Sequence, residues 1–277
     1  MPNVKLDTFE SLEEYIRVIG SRPKNKVMQY KDKSVIGDKY FTGTNSYEEA
    51  TELALKGYKD GLKAIISNTE RRFSHRENAN RRRTSLSVQG YAPHVANAII
   101  GLPKSMISTT TTAPSKDKVL TICYLCSVSH HIEAKTLNKA GENLLNAIRI
   151  LELSGYRVGL YVMVSQTEDD EYLCNLVKIK DYKQQQNPLK MAYPLVNASY
   201  FRRHGFRWIE TNPSLTNGKF ASGYGVSIIY RNGTKTVTEQ REFLKKHGIL
   251  KSSWFYTNVE QAATLEPEAL LTAMEIK

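Results

Sequence analysis

Cysteine is scarce in this sequence. Cys123, Cys126 and Cys174 are the only three in 277 residues, too few and too odd in number for a disulfide scaffold. Free thiols in a reducing compartment are therefore expected, packed as small hydrophobes. Long apolar runs are also missing, and MPNVKLDTFESLEEYIRVIG at the start holds nothing like the apolar stretch of a secretory signal. This leads us to expect a protein made and kept in a cytosol, with no membrane partner. Walker-type and dinucleotide-type glycine patterns are absent, and Gly223-Tyr224-Gly225 fits a turn or bulge at the head of a strand. No fixed-period repeat is visible. With no complete catalytic or metal-binding motif, no catalytic residue, metal or cofactor is assigned.

Acidic residues are in deficit as well: 28 Asp+Glu stand against 39 Lys+Arg, a net charge of +11. Such a balance favours a polyanion or an acidic protein surface as partner.

Along the chain, Asp7 or Ser11 with Glu10 or Glu14 forms a capping-box pattern before Leu12, Tyr15, Ile16 and Ile19, which predicts an amphipathic helix ending at Gly20. Residues 21–44 fit a loop or short hairpin. Ser46 with Glu49 opens a second helix whose stripe, Ala50 to Ile65, contains Gly57 and Gly61, either a close helix contact or a break. TTTTAPSKDK reads as a connection, with a boundary near residue 115. Beyond it the pattern becomes α/β. Val119–Ser129 and Val158–Val164 are apolar runs separated by an amphipathic helix, Leu137–Leu153, as buried parallel strands with a crossover helix require. Tyr172–Lys180 predicts a third, more exposed strand. A helix over 195–203, strands over 206–210 and 223–230, a helix from Thr236 or Thr238 to His247, and a last helix over 266–276 complete the expectation. The fold class is thus α/β, a mostly parallel sheet flanked by helices, with a helical, Arg-rich segment (1–115) packed on or linked to an α/β core with C-terminal helices (116–277).

The best functional signal is RRFSHRENANRRR, in which Arg71, Arg72, Arg76, Arg81, Arg82 and Arg83 could neutralise several phosphates and Phe73 and His75 could stack on bases. Arg202, Arg203, His204 and Arg207 form a second basic spot, and for both clusters a salt-bridged or solvated segment is the alternative. Cys123-x-x-Cys126 near His130 and His131, with Cys174, suggests zinc, but strand residues three apart face opposite ways and cannot share a tetrahedral ion. The acidic run 168–171 fits a solvated loop better than a cation site.

Ser127-x-Ser129 after the first core strand resembles the von Willebrand factor A-type domain, where an aspartate and two serines hold a metal ion. Leu125 stands at the aspartate position, so the resemblance implies a von Willebrand factor A-like or Rossmann-like fold over about residues 118–250 without its metal. GYAPHVANAIIGLPKSMIS, LELSGYRVGLYVMVS and MAYPLVNASYFRRHGFRWIE, with TGTNSYEEATELALKGYKDGL upstream, resemble a family of uncharacterised tailed-bacteriophage and prophage proteins. That resemblance implies a phage origin and a compact core, and no functional residue. Together these readings lead us to expect a phage-encoded, non-catalytic binding or assembly protein in the host cytoplasm or the virion. Its expected partners are nucleic acid, an acidic protein surface or other virion proteins. The alternatives are a metal-dependent enzyme acting on nucleic acid near Ser127, Ser129, His130 and the acidic run, and a host-directed inhibitor or adaptor.

Overall fold

The computed structural model describes residues 3–24, 32–61, 83–110, 118–168, 171–184, 187–213, 224 and 236–276. In chain order, β1 (Asn3–Phe9) leads into α1 (Leu12–Ser21), then α2 (Lys39–Thr42) and α3 (Tyr47–Lys56). A small segment follows, with β2 (Arg83–Ser87), β3 (Ala92–Pro93), α4 (Val95–Ile99) and β4 (Met106–Thr110). The core continues with β5 (Lys118–Leu125), α5 (Ala134–Leu153), β6 (Tyr156–Glu168) and β7 (Glu171–Lys180). Next come α6 (Pro188–Val196), a π-helical turn over Tyr200–Gly205, and α7 (Phe206–Glu210). The last elements are α8 (Val237–Lys246), β8 (Trp254–Asn258), α9 (Val259–Thr264) and α10 (Pro267–Ala273).

Five strands form one sheet in the order β1-β7-β6-β5-β8. β5 is parallel to both β6 and β8, β1 is parallel to β7, and β6 and β7 form the antiparallel hairpin. The expected α/β class with a mostly parallel sheet is therefore what the chain adopts. Its apolar runs are continuous because both faces are covered. On one face, Ile122, Tyr124, Val162, Val164, Leu173 and Val177 pack under α1, α5 and α6. On the other, Cys123, Leu125, Met163, Cys174 and Tyr256 meet Leu244 of α8 with Ile249 and Leu250. The crossover helix needs Gly141, since a Cβ there would lie 1.9 Å from the Leu195 carbonyl oxygen of α6. β2, β4 and β3 make a separate three-stranded antiparallel sheet.

Several expectations hold at their boundaries. Ser11 caps α1, its hydroxyl accepting from Glu14 N at 3.0 Å, and Thr236 with Glu239 makes a full capping box on α8. Others are corrected. The opening residues are not only helical: residues 3–9 form β1 and supply an edge strand of the main sheet. Tyr172–Lys180 is an interior strand rather than an exposed one, because β1 pairs along its outer edge. The second helix stops at Lys56, where Gly57 takes a left-handed φ of +94° that ends the hydrogen-bond ladder. The helix expected over 195–203 begins earlier, at Pro188, capped by Asn187, whose side chain accepts from Lys190 N. Residues 206–210, expected as a strand, continue helically out of the π-helical turn. Apart from Tyr224, the strand expected over 223–230 lies outside the described residues.

Candidate nucleic-acid interface

Of the six cluster arginines, Arg71, Arg72, Arg76, Arg81 and Arg82 lie outside the described residues. Arg83 begins β2, its backbone in register with Thr110 of β4.

The zinc alternative fails on geometry. Cys126 sits with the core under α5, whereas Cys123 and Cys174 sit on the opposite sheet face under α8. Cys126 Sγ donates to the Met163 carbonyl at 3.2 Å. Burial pushes the Cys123 and Cys126 thiols far above their ordinary value and the Cys174 thiol up to about 12, so none is a thiolate at neutral pH. Among the described residues, no group of three His, Cys, Asp or Glu side chains could hold a metal ion. Leu125 is buried in the apolar core. Ser127 spends its hydroxyl on Ser165, donating to the carbonyl at 3.0 Å and accepting from the N–H at 2.7 Å, which ties the ends of β5 and β6 together. His130 and His131 are exposed and lie against each other, ring centroids 3.7 Å apart.

Of the second basic spot only Arg207 is partly exposed, its Nε donating to the Ile19 carbonyl at 3.4 Å. Arg202, Arg203 and His204 are fully buried in the π-helical turn, because the segment before α3 folds over them. Arg203 donates to the carbonyls of Ser34, Val35, Gly37 and Thr44 and to the hydroxyls of Thr42 and Thr44, at 2.8–3.3 Å. Arg202 donates to the Phe41 carbonyl at 2.7 Å and to that of Ile132, and lies 4.0 Å over the Phe41 ring. Glu210 accepts from Ser34 N at 2.9 Å and Ser34 Oγ at 2.5 Å. His204 is held between Tyr193 Oη at 2.8 Å and Thr51 Oγ1 at 3.2 Å. Burial, then the neighbouring Arg203 charge, push its imidazole down to about 3. These groups tie α2 and α3 to the core.

Sequence reasoning missed a different surface. α8 covers only part of its sheet face, where Phe243 meets Tyr172 with ring centroids 5.6 Å apart near the β6–β7 turn. Towards the amino ends of β5 and β6 the same face, among the described residues, leaves Thr121, Tyr161 and Trp254 half-buried and Val119 exposed. Strand alternation there places Tyr161 opposite Lys178, and Trp254 opposite Thr121. The Tyr161 and Trp254 rings stack at 4.5 Å and 25°. Lys178 Nζ lies 5.8 Å from the Tyr161 centroid and Lys251 Nζ lies 5.5 Å from the Trp254 centroid. Val119 and Arg157, paired at the amino ends of β5 and β6, are exposed on this face. The hairpin keeps one register from Glu168–Glu171 down to Tyr161, which places Tyr161 opposite Lys178, and the β-bulge comes just beyond, between Leu160 and Tyr161. Lys178 also pairs with Glu10, and that hydrogen bond raises its pKa, so it stays cationic. The signal available beforehand was an aromatic inside each of two short apolar runs; nothing in the chain places Trp254 beside Tyr161 until both flank β5.

A cleft of about 310 Å³ opens beside this face, lined by Glu10, Glu13, Lys178, Lys180 and Lys190 among others. Its lysines are already paired, Lys178 with Glu10, Lys190 with Glu13 at 2.5 Å and Lys180 with Glu152 at 2.7 Å. What remains for a solute is the aromatic pair with the Lys251 ammonium at the Trp254 ring, while Lys178, beside Tyr161, is already paired with Glu10. Aromatic faces accept stacked bases, and lysines at their rims meet phosphates.

Fold and surface together define an α/β protein whose mostly parallel five-stranded sheet carries an aromatic, basic, partly open face. The chain belongs to the family described as Domain of unknown function (DUF7192), which it matches over residues 2–255. No curated protein and no solved structure matches it. Among the described residues, no helix is long and apolar enough to cross a membrane.

Proposed function

We propose that this is a non-catalytic protein that binds single-stranded nucleic acid on the open half of its sheet. The observation that carries the reading is the stacked Tyr161–Trp254 pair with Lys178 and Lys251 over the two rings. The net charge of +11 supports it, and the Arg71–Arg83 cluster supplies further phosphate contacts. In keeping with the sequence resemblance, the protein is phage-encoded and acts in the host cytoplasm or in the virion. Its core is a degenerate von Willebrand factor A-like one, a reading supported by Ser127 and Ser129 following β5 and by the helix that comes next.

Trp254 provides the test. The chain has two tryptophans, and Trp208 is fully buried with its indole N–H donating to Asp7 at 2.9 Å. A single-stranded oligonucleotide that stacks on the face will quench Trp254 fluorescence, with an affinity that falls steeply as salt rises. Tyr161→Ala or Trp254→Ala, the former still readable by quenching and both by filter retention, will each weaken binding about 5- to 150-fold, the cost of one lost base stack. Unchanged affinity in both variants overturns the assignment of the face. Changing the six cluster arginines to alanine is expected to lower the salt slope in addition.

A further inference from the structure

We propose that Glu10 is a built-in competitor for nucleic-acid phosphate, a carboxylate that occupies Lys178 until a backbone phosphate replaces it; this regulation rests on the aromatic face binding nucleic acid as proposed above. The sheet brings the groups together. β1 pairs with β7 as far as Phe9 opposite Val177, so Glu10 leaves the ladder beside Lys178, and across the hairpin Lys178 stands opposite Tyr161. Lys178 donates to Glu10 Oε2 while its ammonium lies 5.8 Å from the Tyr161 centroid. One cation thus serves a ring on one side and a carboxylate on the other.

The two ends of the ion pair are held unequally. The Lys178 side chain is 21% exposed, whereas that of Glu10 is 78% exposed. The Glu10 backbone is fixed by its own N–H, which donates to Glu14 Oε2 at 2.7 Å, so the carboxylate can turn away without disturbing the start of α1. An ion pair with so exposed a partner biases an equilibrium by about 5-fold at most. A base stacked on Tyr161 carries its phosphates to the rim of the ring, where they meet the same ammonium. Both side chains line the cleft of about 310 Å³, which gives a phosphate and a displaced carboxylate room to exchange. Every phosphate that reaches Lys178 must first release Glu10, so the contact yields little net charge neutralisation. Glu10 thereby shifts recognition at Tyr161 from charge towards base stacking.

The experiment compares wild type with Glu10→Gln by Trp254 quenching and filter retention. The probes are a single-stranded oligonucleotide and its methylphosphonate analogue, whose backbone is uncharged. Glutamine keeps the shape of the side chain and removes its charge at an exposed position. Glu10→Gln is expected to bind the phosphate strand about 2- to 5-fold more tightly at low salt. Its salt slope is expected to steepen by about 0.7, the counterion release of one further phosphate contact. Affinity for the analogue is expected to stay the same. Unchanged or weaker binding of the phosphate strand overturns the proposal, making Glu10 a bystander or a support that positions Lys178. Tighter binding with an unchanged slope, or an equal change with both probes, overturns it too. If Tyr161→Ala and Trp254→Ala weaken binding while Glu10→Gln alters nothing, the aromatic face stands and only the competitor falls. If neither wild type nor Glu10→Gln binds either probe, both fall.

Discussion

At His204 a basic residue is kept neutral by its surroundings, with Tyr193 on one ring nitrogen, Thr51 on the other and Arg203 alongside. In the unfolded chain the imidazole titrates near 6.5, whereas in the fold it titrates at about 3. Between these values the unfolded state binds the extra proton. Stability from this site is therefore complete above pH 6.5 and falls by about 1.4 kcal/mol per unit as the pH drops towards 3. Denaturant midpoints at pH 7 and pH 5 check this: the wild type will lose stability between them, and His204→Gln, though weaker at pH 7, will lose less. Burial of this residue and its two arginine neighbours was invisible in the sequence because three consecutive basic residues look the same in solvent and in a core. Their partners at 34–44 lie about 160 positions away. By contrast, the opposed directions of Cys123 and Cys126 were legible, since they follow from strand period alone.

At the scale of elements, legibility tracked burial. The β5-α5-β6 unit was readable because strands covered on both faces become continuous apolar runs, and because the α5 stripe repeats at helical spacing. β1 was missed: Lys5 and Asp7 interrupt its apolar residues, and its place in the sheet comes from pairing with β7. β8 was missed for a similar reason, being five residues long and ordered by β5 from over a hundred positions away. Alternation in Phe206–Glu210 suggested a strand, but the backbone arrives already helical. The stripe of α5 does more than fill space. At Gly141 the missing side chain lets α6 approach to within a distance that no Cβ permits, and the obstacle is backbone that cannot rotate away. Gly141→Ala is expected to lower stability by about 3 kcal/mol despite alanine's better helix propensity, as measured by urea unfolding. A stabilised variant would show that α5 and α6 separate freely.

Over the whole molecule, the N-terminal segment and the later core share one sheet, joined by the β1–β7 ladder, by Asp7 accepting from Trp208, and by Tyr15 Oη donating to the His204 carbonyl at 2.9 Å. Two halves joined this way unfold together. Removing residues 1–10 is expected to abolish cooperative melting of the remainder, measured by circular dichroism, rather than to leave a stable core with a slightly lower midpoint. At this scale the net charge pointed to a polyanion or an acidic surface; the face proposed to meet it could not be read, because it exists only once β5 lies between Tyr161 and Trp254. The three cysteines have a consequence of their own. With every sulfur enclosed, two beneath α8 and one beneath α5, the folded surface offers nothing to a maleimide or an oxidant, and each thiol becomes a reporter of the moment its own side of the sheet opens.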